Sequence, residues 1–156
     1  MPTLTQLSYG GTAAIVTGMG LIVGFDTATA SKATLIGSLL LIAVADNLAD
    51  SLAIHAYQES ERLAAKQAFR STVTNFLTRF LVAASFVILV FALPIGSLTP
   101  VALAWGMALL GTLTYFVARH RGVSPLVEVA KHLAVAIVVI VVSRAIGIWI
   151  LARVSG

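Results

Sequence analysis

The stretch that decides the fold is residues 35–57, LIGSLLLIAVADNLADSLAIHAY, whose only carboxylates are Asp46 and Asp50. A helix needs about 20 mainly apolar residues to cross a hydrocarbon layer roughly 30 Å thick. Residues 35–57 meet that length without a proline. The stretch therefore predicts a transmembrane helix that carries two acidic side chains inside the membrane.

Four more apolar segments repeat this pattern along the chain. They are residues 8–25, 76–93, 101–118 and 133–151. The internal prolines fall between segments, as expected because proline lacks the amide donor that a helix interior needs. We predict an all-α fold, an integral membrane five-helix bundle in one domain over residues 1–156, with helices at about 8–25, 33–69, 76–93, 101–118 and 131–152. Because it has no basic leader, the first segment is expected to be retained as a membrane helix.

The composition excludes several classes of function. Hydrophobic residues make up 59% of the chain and charged residues 10%, whereas a soluble domain has about 25% charged residues. Cysteine is absent, which removes thiolate metal sites and cysteine nucleophiles. The net charge is +4, but the basic residues form no stripe with interleaved aromatics. No nucleic-acid partner is therefore expected. No catalytic motif is recognisable, and we expect neither enzymatic activity nor a tightly bound cofactor.

Basic residues predict the orientation of the chain in a cell membrane. Seven lie in or beside the second and fourth connections, namely Arg62, Lys66, Arg70, Arg79, Arg119, Arg121 and Lys131. Only Lys32 and Arg153 lie on the other side. The positive-inside rule then places the N-terminus in the cytoplasm and the C-terminus outside. The second helix has no glycine or proline between residues 58 and 69, which predicts that it continues into the cytoplasm as far as Phe69.

Polar residues of the second segment form an acidic face. At 100° per residue, Asp46, Asp50, Tyr57 and Glu61 fall within about 60° of arc. On roughly the opposite side, His55 and Glu59 are spaced i and i+4, close enough to interact.

Two hypotheses explain why charges are retained inside the membrane. In the first, the acidic face binds a divalent cation and exchanges protons, since oxygen ligands suit hard ions and an imidazole widens the choice to Fe²⁺ or Zn²⁺. The predicted metal ligands are Asp46, Asp50, Glu61, Asn47, His55 and Glu59. In the second, the aspartates pair with Arg144 of the fifth segment and no ion path exists, because intramembrane charges tend to pair.

Residues 45–55, ADNLADSLAIH, followed by Gln58-Glu59-Ser60-Glu61, resemble the second-helix motif of the vacuolar iron transporter family. The Gly-Gly-Thr start of the first helix and the five segments are similar too. This chain differs from the family motif at three positions. Gly10 stands where the family has an acidic residue, Ile54 where it has a methionine, and Gln58 where it has a glutamate.

The resemblance implies a symmetric homodimer in membrane lipid, with an ion path between the first and second helices near the twofold axis. It implies export of Fe²⁺ or Mn²⁺ from the cytoplasm in exchange for protons, with Asp50 as the intramembrane acidic residue. The alternative function is a structural or accessory membrane protein without transport, in which Arg144 neutralises the aspartates.

Overall fold

The computed structural model describes residues 2–61 and 64–154, with side chains from Gly10 onward. All regular structure in these residues is helical. The helices are α1 (Pro2–Thr27), α2 (Lys32–Ser60), α3 (Ala65–Ala92), α4 (Ile95–His120) and α5 (Pro125–Arg153). All five are long and apolar enough to span a membrane. The predicted five-helix, all-α membrane fold is therefore confirmed at this level.

Helix α1 forms the centre of the bundle and packs against α3, α4 and α5. Its small residues permit the close approach: a Cβ atom at Gly18 would lie 2.7 Å from the ring of Phe86. Met19 is fully buried and packs against Gly106 of α4. In a membrane such contacts stabilise the fold mainly through packing, because lipid tails are as apolar as the side chains.

Helix α2 lies at the edge of the bundle and packs mainly against α3, with which it forms an antiparallel hairpin. At one end, the Lys32 ammonium donates hydrogen bonds to the carbonyls of Phe91 and Leu93, both at 2.9 Å. These are among the last carbonyls of α3, which lack partners within the helix. Lys32 thus ties the start of α2 to the end of α3.

The prediction that the second helix continues to Phe69 is wrong. Helix α2 ends at Ser60, a turn follows at Glu61, and α3 has begun by Ala65. Arg62 and Leu63 lie outside the described residues. The segment lacks helix breakers, but propensity is a weak preference that tertiary contacts override. Here the reversal lets α2 and α3 pair along their polar faces, through contacts such as Gln58 Nε2 to Ser71 Oγ at 2.6 Å.

The proline prediction fails at one position. Pro94 lies between α3 and α4 and Pro125 is the first residue of α5, but Pro100 is inside α4. It is the sixth residue of that helix, so the donor it lacks would serve only the carbonyl of Gly96 in the first turn. The surroundings of Gly96 are open, and the helix continues through this position.

Candidate functional site

A π-helical turn interrupts α2 at Ile42–Asp46. Its wider hydrogen-bonding pattern pairs the backbone N–H of Asn47 with Ile42 O. The carbonyl of Ala43, which would accept that N–H in an α-helix, instead accepts a 2.9 Å hydrogen bond from the Asn47 side-chain amide. The turn therefore fixes the buried side chain of Asn47 and leaves its Oδ1 free to accept. Such turns are frequent at functional sites.

Arg79 of α3 joins the polar residues of α2. Its Nε donates to Asn47 Oδ1 at 2.7 Å, its Nη2 to Asp46 Oδ2 at 2.8 Å and its Nη1 to Asp50 Oδ2 at 3.1 Å. One guanidinium thus holds two carboxylates and an amide, using the fork of donors that only arginine provides. We call Asp46, Asn47, Asp50 and Arg79 the charge cluster.

The charge cluster lies halfway along both helices. Asp46 is the fifteenth of the 29 residues of α2, and Arg79 is the fifteenth of the 28 residues of α3. At 1.5 Å per residue, each lies about 21 Å from the start of its helix. If both helices span a bilayer, the cluster lies near its midplane, where ionisable residues are costly and usually functional.

The burial of the cluster is uneven. The Arg79 side chain is 6% exposed, Asp50 is 26% exposed and Asp46 is 55% exposed. The guanidinium is therefore enclosed between the helices, whereas the Asp46 carboxylate reaches the outer surface of α2. A half-exposed carboxylate at this depth is costly, since charged residues within membranes almost always face a bundle interior or a water-filled cavity.

Asn75 extends the cluster toward α1. Its Nδ2 donates to Asp50 Oδ2 at 3.2 Å and to Ser51 Oγ at 3.3 Å. Its Oδ1 is buried without a hydrogen-bond partner and faces Gly10, where a Cβ atom would collide with it. The space between α1 and α2, where the resemblance implies an ion path, thus holds the side chains of Asn75 and Arg79.

A second polar group lies toward the α2–α3 turn. His55 Nε2 lies 3.4 Å from Glu59 Oε1, as the i, i+4 spacing predicts, and His55 Nδ1 lies 3.2 Å from Thr72 Oγ1. The Glu59 carboxylate is exposed. This pair forms part of the hairpin contact and is separate from the charge cluster.

The structure thus divides the residues predicted as metal ligands. Asp46, Asn47 and Asp50 come together around Arg79, His55 and Glu59 form their own pair, and Glu61 lies exposed in the turn. Among residues 2–61 and 64–154, no three histidine, aspartate or glutamate side chains are grouped closely enough to hold a metal ion. The six-residue ligand set remains a prediction.

Arg144 was the wrong partner for the aspartates. It is exposed on α5, and both of the ion pairs that the structure gives to Asp46 and Asp50 are formed by Arg79. Arg79 itself was assigned to the cytoplasmic connection because the third helix was expected to begin at Phe76. Since α3 begins at Ala65, Arg79 belongs to its centre. The buried residues Ser71, Asn75 and Arg79 recur every four positions, a spacing that indicates one polar helix face and could have revealed the partner.

Comparisons with protein-family models, with curated proteins and with solved structures give no match for this chain. The fold and the site define a class of protein. It has five helices that are long and apolar enough to span a membrane, and a buried guanidinium paired with two carboxylates halfway along two of these helices.

Proposed function

We propose that this protein is a proton-coupled divalent cation transporter that exports Fe²⁺ or Mn²⁺ from the cytoplasm, and that the charge cluster is its exchange site. The observation that carries the proposal is the unequal number of charges in the cluster. Two carboxylates face one guanidinium, so with both aspartates ionised one negative charge is left over. Near a bilayer midplane an unbalanced charge costs about 2.5–3.5 kcal/mol or more, and a bound cation or proton removes that cost.

The geometry suggests how exchange works. A proton on either carboxyl leaves a neutral cluster in which Arg79 keeps its place. A divalent ion held by both carboxylates would lie close to the guanidinium, and because like charges repel, metal binding favours displacement of Arg79. The metal-bound and proton-bound states then differ in the position of Arg79. Exclusive binding of metal or proton at one site is what an exchanger requires.

The proposed exporter has its N-terminus in the cytoplasm and acts as a homodimer. The orientation rests on Lys66, Arg70, Arg119 and Arg121, which lie outside the helix centres, against Lys32 and Arg153 at the other side. The homodimer rests on Asp46, because a second copy packed on α2 would cover its half-exposed carboxylate. The resemblance to the vacuolar iron transporter family supports both features.

The second candidate is a structural or accessory membrane protein without transport. It is favoured by the three hydrogen bonds of Arg79, which occupies the site as a tethered cation. In this candidate the guanidinium permanently replaces the metal. Arg79 then takes the role that the sequence had suggested for Arg144.

Flux into proteoliposomes separates the two candidates. The purified chain is reconstituted under an imposed pH gradient, and uptake of Fe²⁺, Mn²⁺, Co²⁺ and Zn²⁺ is measured. The exporter is expected to move at least one metal, and Asp50→Asn is expected to abolish that flux. The matched control is Asp26→Asn, since Asp26 accepts a hydrogen bond from Thr99 at the end of α1, away from the charge cluster. Absence of flux for all four metals in the folded wild type would remove the exporter and leave the structural candidate.

A further inference from the structure

An open groove of about 530 Å³ runs between α1 and α5 in their C-terminal halves. On the α1 side Thr17, Leu21 and Phe25 line the groove, and on the α5 side Ser143, Ile146 and Ile150 form the wall. The surface of the groove is almost entirely apolar. Its size lies within the range of roughly 300–1,000 Å³ that is typical of ligand sites.

Arg153 continues the α5 wall of this groove. At 100° per residue, Val139, Ser143, Ile146, Ile150 and Arg153 fall within about 80° of arc. Arg153 is the last residue of α5, one turn beyond Ile150, and its side chain is exposed. Among the ion pairs of residues 2–61 and 64–154, none involves Arg153. The apolar groove therefore lies in line with an exposed guanidinium at the helix end that forms no ion pair with the described residues.

We infer that this groove is a binding site for an anionic phospholipid, with one acyl chain along the groove and the phosphate on Arg153. A phospholipid has an apolar acyl chain with a charged headgroup at one end. The site has the same arrangement, because the apolar wall lies within the membrane-spanning part of α5 and the Arg153 charge lies at the end of that helix. A guanidinium binds a phosphate through paired, charge-assisted hydrogen bonds. The lipid belongs to the leaflet that the C-terminus faces.

The site is distinct from the charge cluster and does not depend on transport. The groove is formed by α1 and α5, whereas the cluster is formed by α2 and α3. A larger residue on the α5 wall should fill the groove. This gives two independent perturbations, one of the charge and one of the cavity.

Native mass spectrometry of the delipidated protein, titrated with palmitoyl-oleoyl phosphatidylglycerol or phosphatidylcholine, tests the inference. Wild type is expected to bind one phosphatidylglycerol per chain more tightly than phosphatidylcholine. Arg153→Gln should weaken phosphatidylglycerol binding about tenfold and phosphatidylcholine binding much less, because the choline group offsets the charge of the phosphate, while Arg153→Lys should retain most of the preference. The charge control is Arg121→Gln, since Arg121 is exposed at the other end of the bundle, after α4.

A cavity variant tests where the chain lies. Ile146→Trp should reduce binding of both lipids, whereas Ile148→Trp, at an equally exposed position on the opposite face of the same helix, should not. Equal binding of the two lipids by wild type, or unchanged phosphatidylglycerol binding in Arg153→Gln or in folded Ile146→Trp, would overturn the inference. Conversion of a dimer to a monomer by Ile146→Trp would also overturn it, because the groove would then hold a second copy.

Discussion

Arg79 Nη2 lies 2.8 Å from Asp46 Oδ2, although the two residues are 33 positions apart in the sequence. The contact joins the midpoints of α2 and α3 and places three charged side chains on one hairpin. Because Arg79 is almost fully enclosed while Asp46 reaches the surface, the two ends of this ion pair should respond differently to substitution.

Replacement of Arg79 is expected to destabilise the fold. Breaking a fully buried ion pair costs about 3–5 kcal/mol, and the half-exposed carboxylate of Asp46 should place Arg79→Gln near the lower limit, at about 3 kcal/mol. Arg79→Lys should recover only part of this loss, because an ammonium cannot donate to Asp46, Asn47 and Asp50 in the same fork. Unfolding in mixed detergent–SDS micelles measures the difference.

The control for this prediction is Arg144→Gln. Since Arg144 is exposed and the aspartates pair with Arg79, its replacement should change stability by no more than about 0.5 kcal/mol or stabilise the protein. The double variant Asp50→Asn with Arg79→Gln should lose less than the two single losses added, by about 1 kcal/mol or more. A large loss in Arg144→Gln together with additivity at Asp50 and Arg79 would show that the ion pairs contribute nothing.

The membrane-spanning pattern was readable from the sequence because it depends only on local composition. The start of α2 and the end of α5 are each predicted to within one residue. Long apolar runs fix where a membrane span must lie. The largest errors lie at the two helix ends beside the α2–α3 turn: α2 ends nine residues before Phe69, and Ala65 begins α3 eleven residues before the expected start at Phe76. In that stretch hydropathy gives no signal, and contacts between α2 and α3 decide the boundary.

The sequence predicts only part of the candidate site. Asp46, Asp50 and Asn47 were identified because charges within an apolar run stand out. Their partner Arg79 could not be identified in the same way. Pairing between two helices depends on the depth of each residue in the membrane and on the rotation of each helix about its axis. The error in the predicted start of α3 also placed Arg79 near the end of that helix instead of at its middle. Neither the π turn at Ile42–Asp46 nor the hydrogen bond of Asn47 to Ala43 has a signal in the residue types.

Gly10 should tolerate no side chain. A Cβ atom at this position would collide with Oδ1 of Asn75 and lie 3.1 Å from Cγ of Arg79, both of which are buried. Gly10→Ala is therefore expected to cost about 1–3 kcal/mol through overpacking. The comparison is Gly37→Ala in α2, where nothing lies within 4 Å of the added atom and the gain in helix propensity should stabilise by up to about 1 kcal/mol. Equal stabilities of the two alanine variants in SDS unfolding would contradict the close contact between α1 and α3.

Lys32 should contribute to stability through the carbonyls it binds. Lys32→Met removes two hydrogen bonds, to Phe91 O and Leu93 O, and is expected to cost about 1 kcal/mol. Lys66→Met is the matched control, because Lys66 is an exposed residue in the first turn of α3 and should change stability by less than about 0.5 kcal/mol. The same unfolding assay applies, and an equal effect of both changes would show that the contact to the end of α3 is dispensable.

The proposed homodimer can be tested by single cysteines, since the natural chain has none. Ala49 and Ala53 are exposed on α2 and lie within about 60° of arc of the half-exposed Asp46. If a second copy covers this face, Ala49→Cys or Ala53→Cys should form a disulfide-linked dimer under mild oxidation in native membranes. Across a twofold axis the same residue meets its own copy, so one substitution is enough.

Val138→Cys serves as the control for that experiment, because Val138 is also exposed but lies on α5. It should remain monomeric under the same oxidation, and diluting the protein into excess lipid should lower crosslinking only if collisions cause it. Equal crosslinking at all three positions would mean that encounters are random and that α2 has no protein partner. In that case the Asp46 carboxylate would face lipid directly, and Asp46→Leu should then stabilise the chain, whereas within a dimer that binds cations through this face the same change should abolish flux.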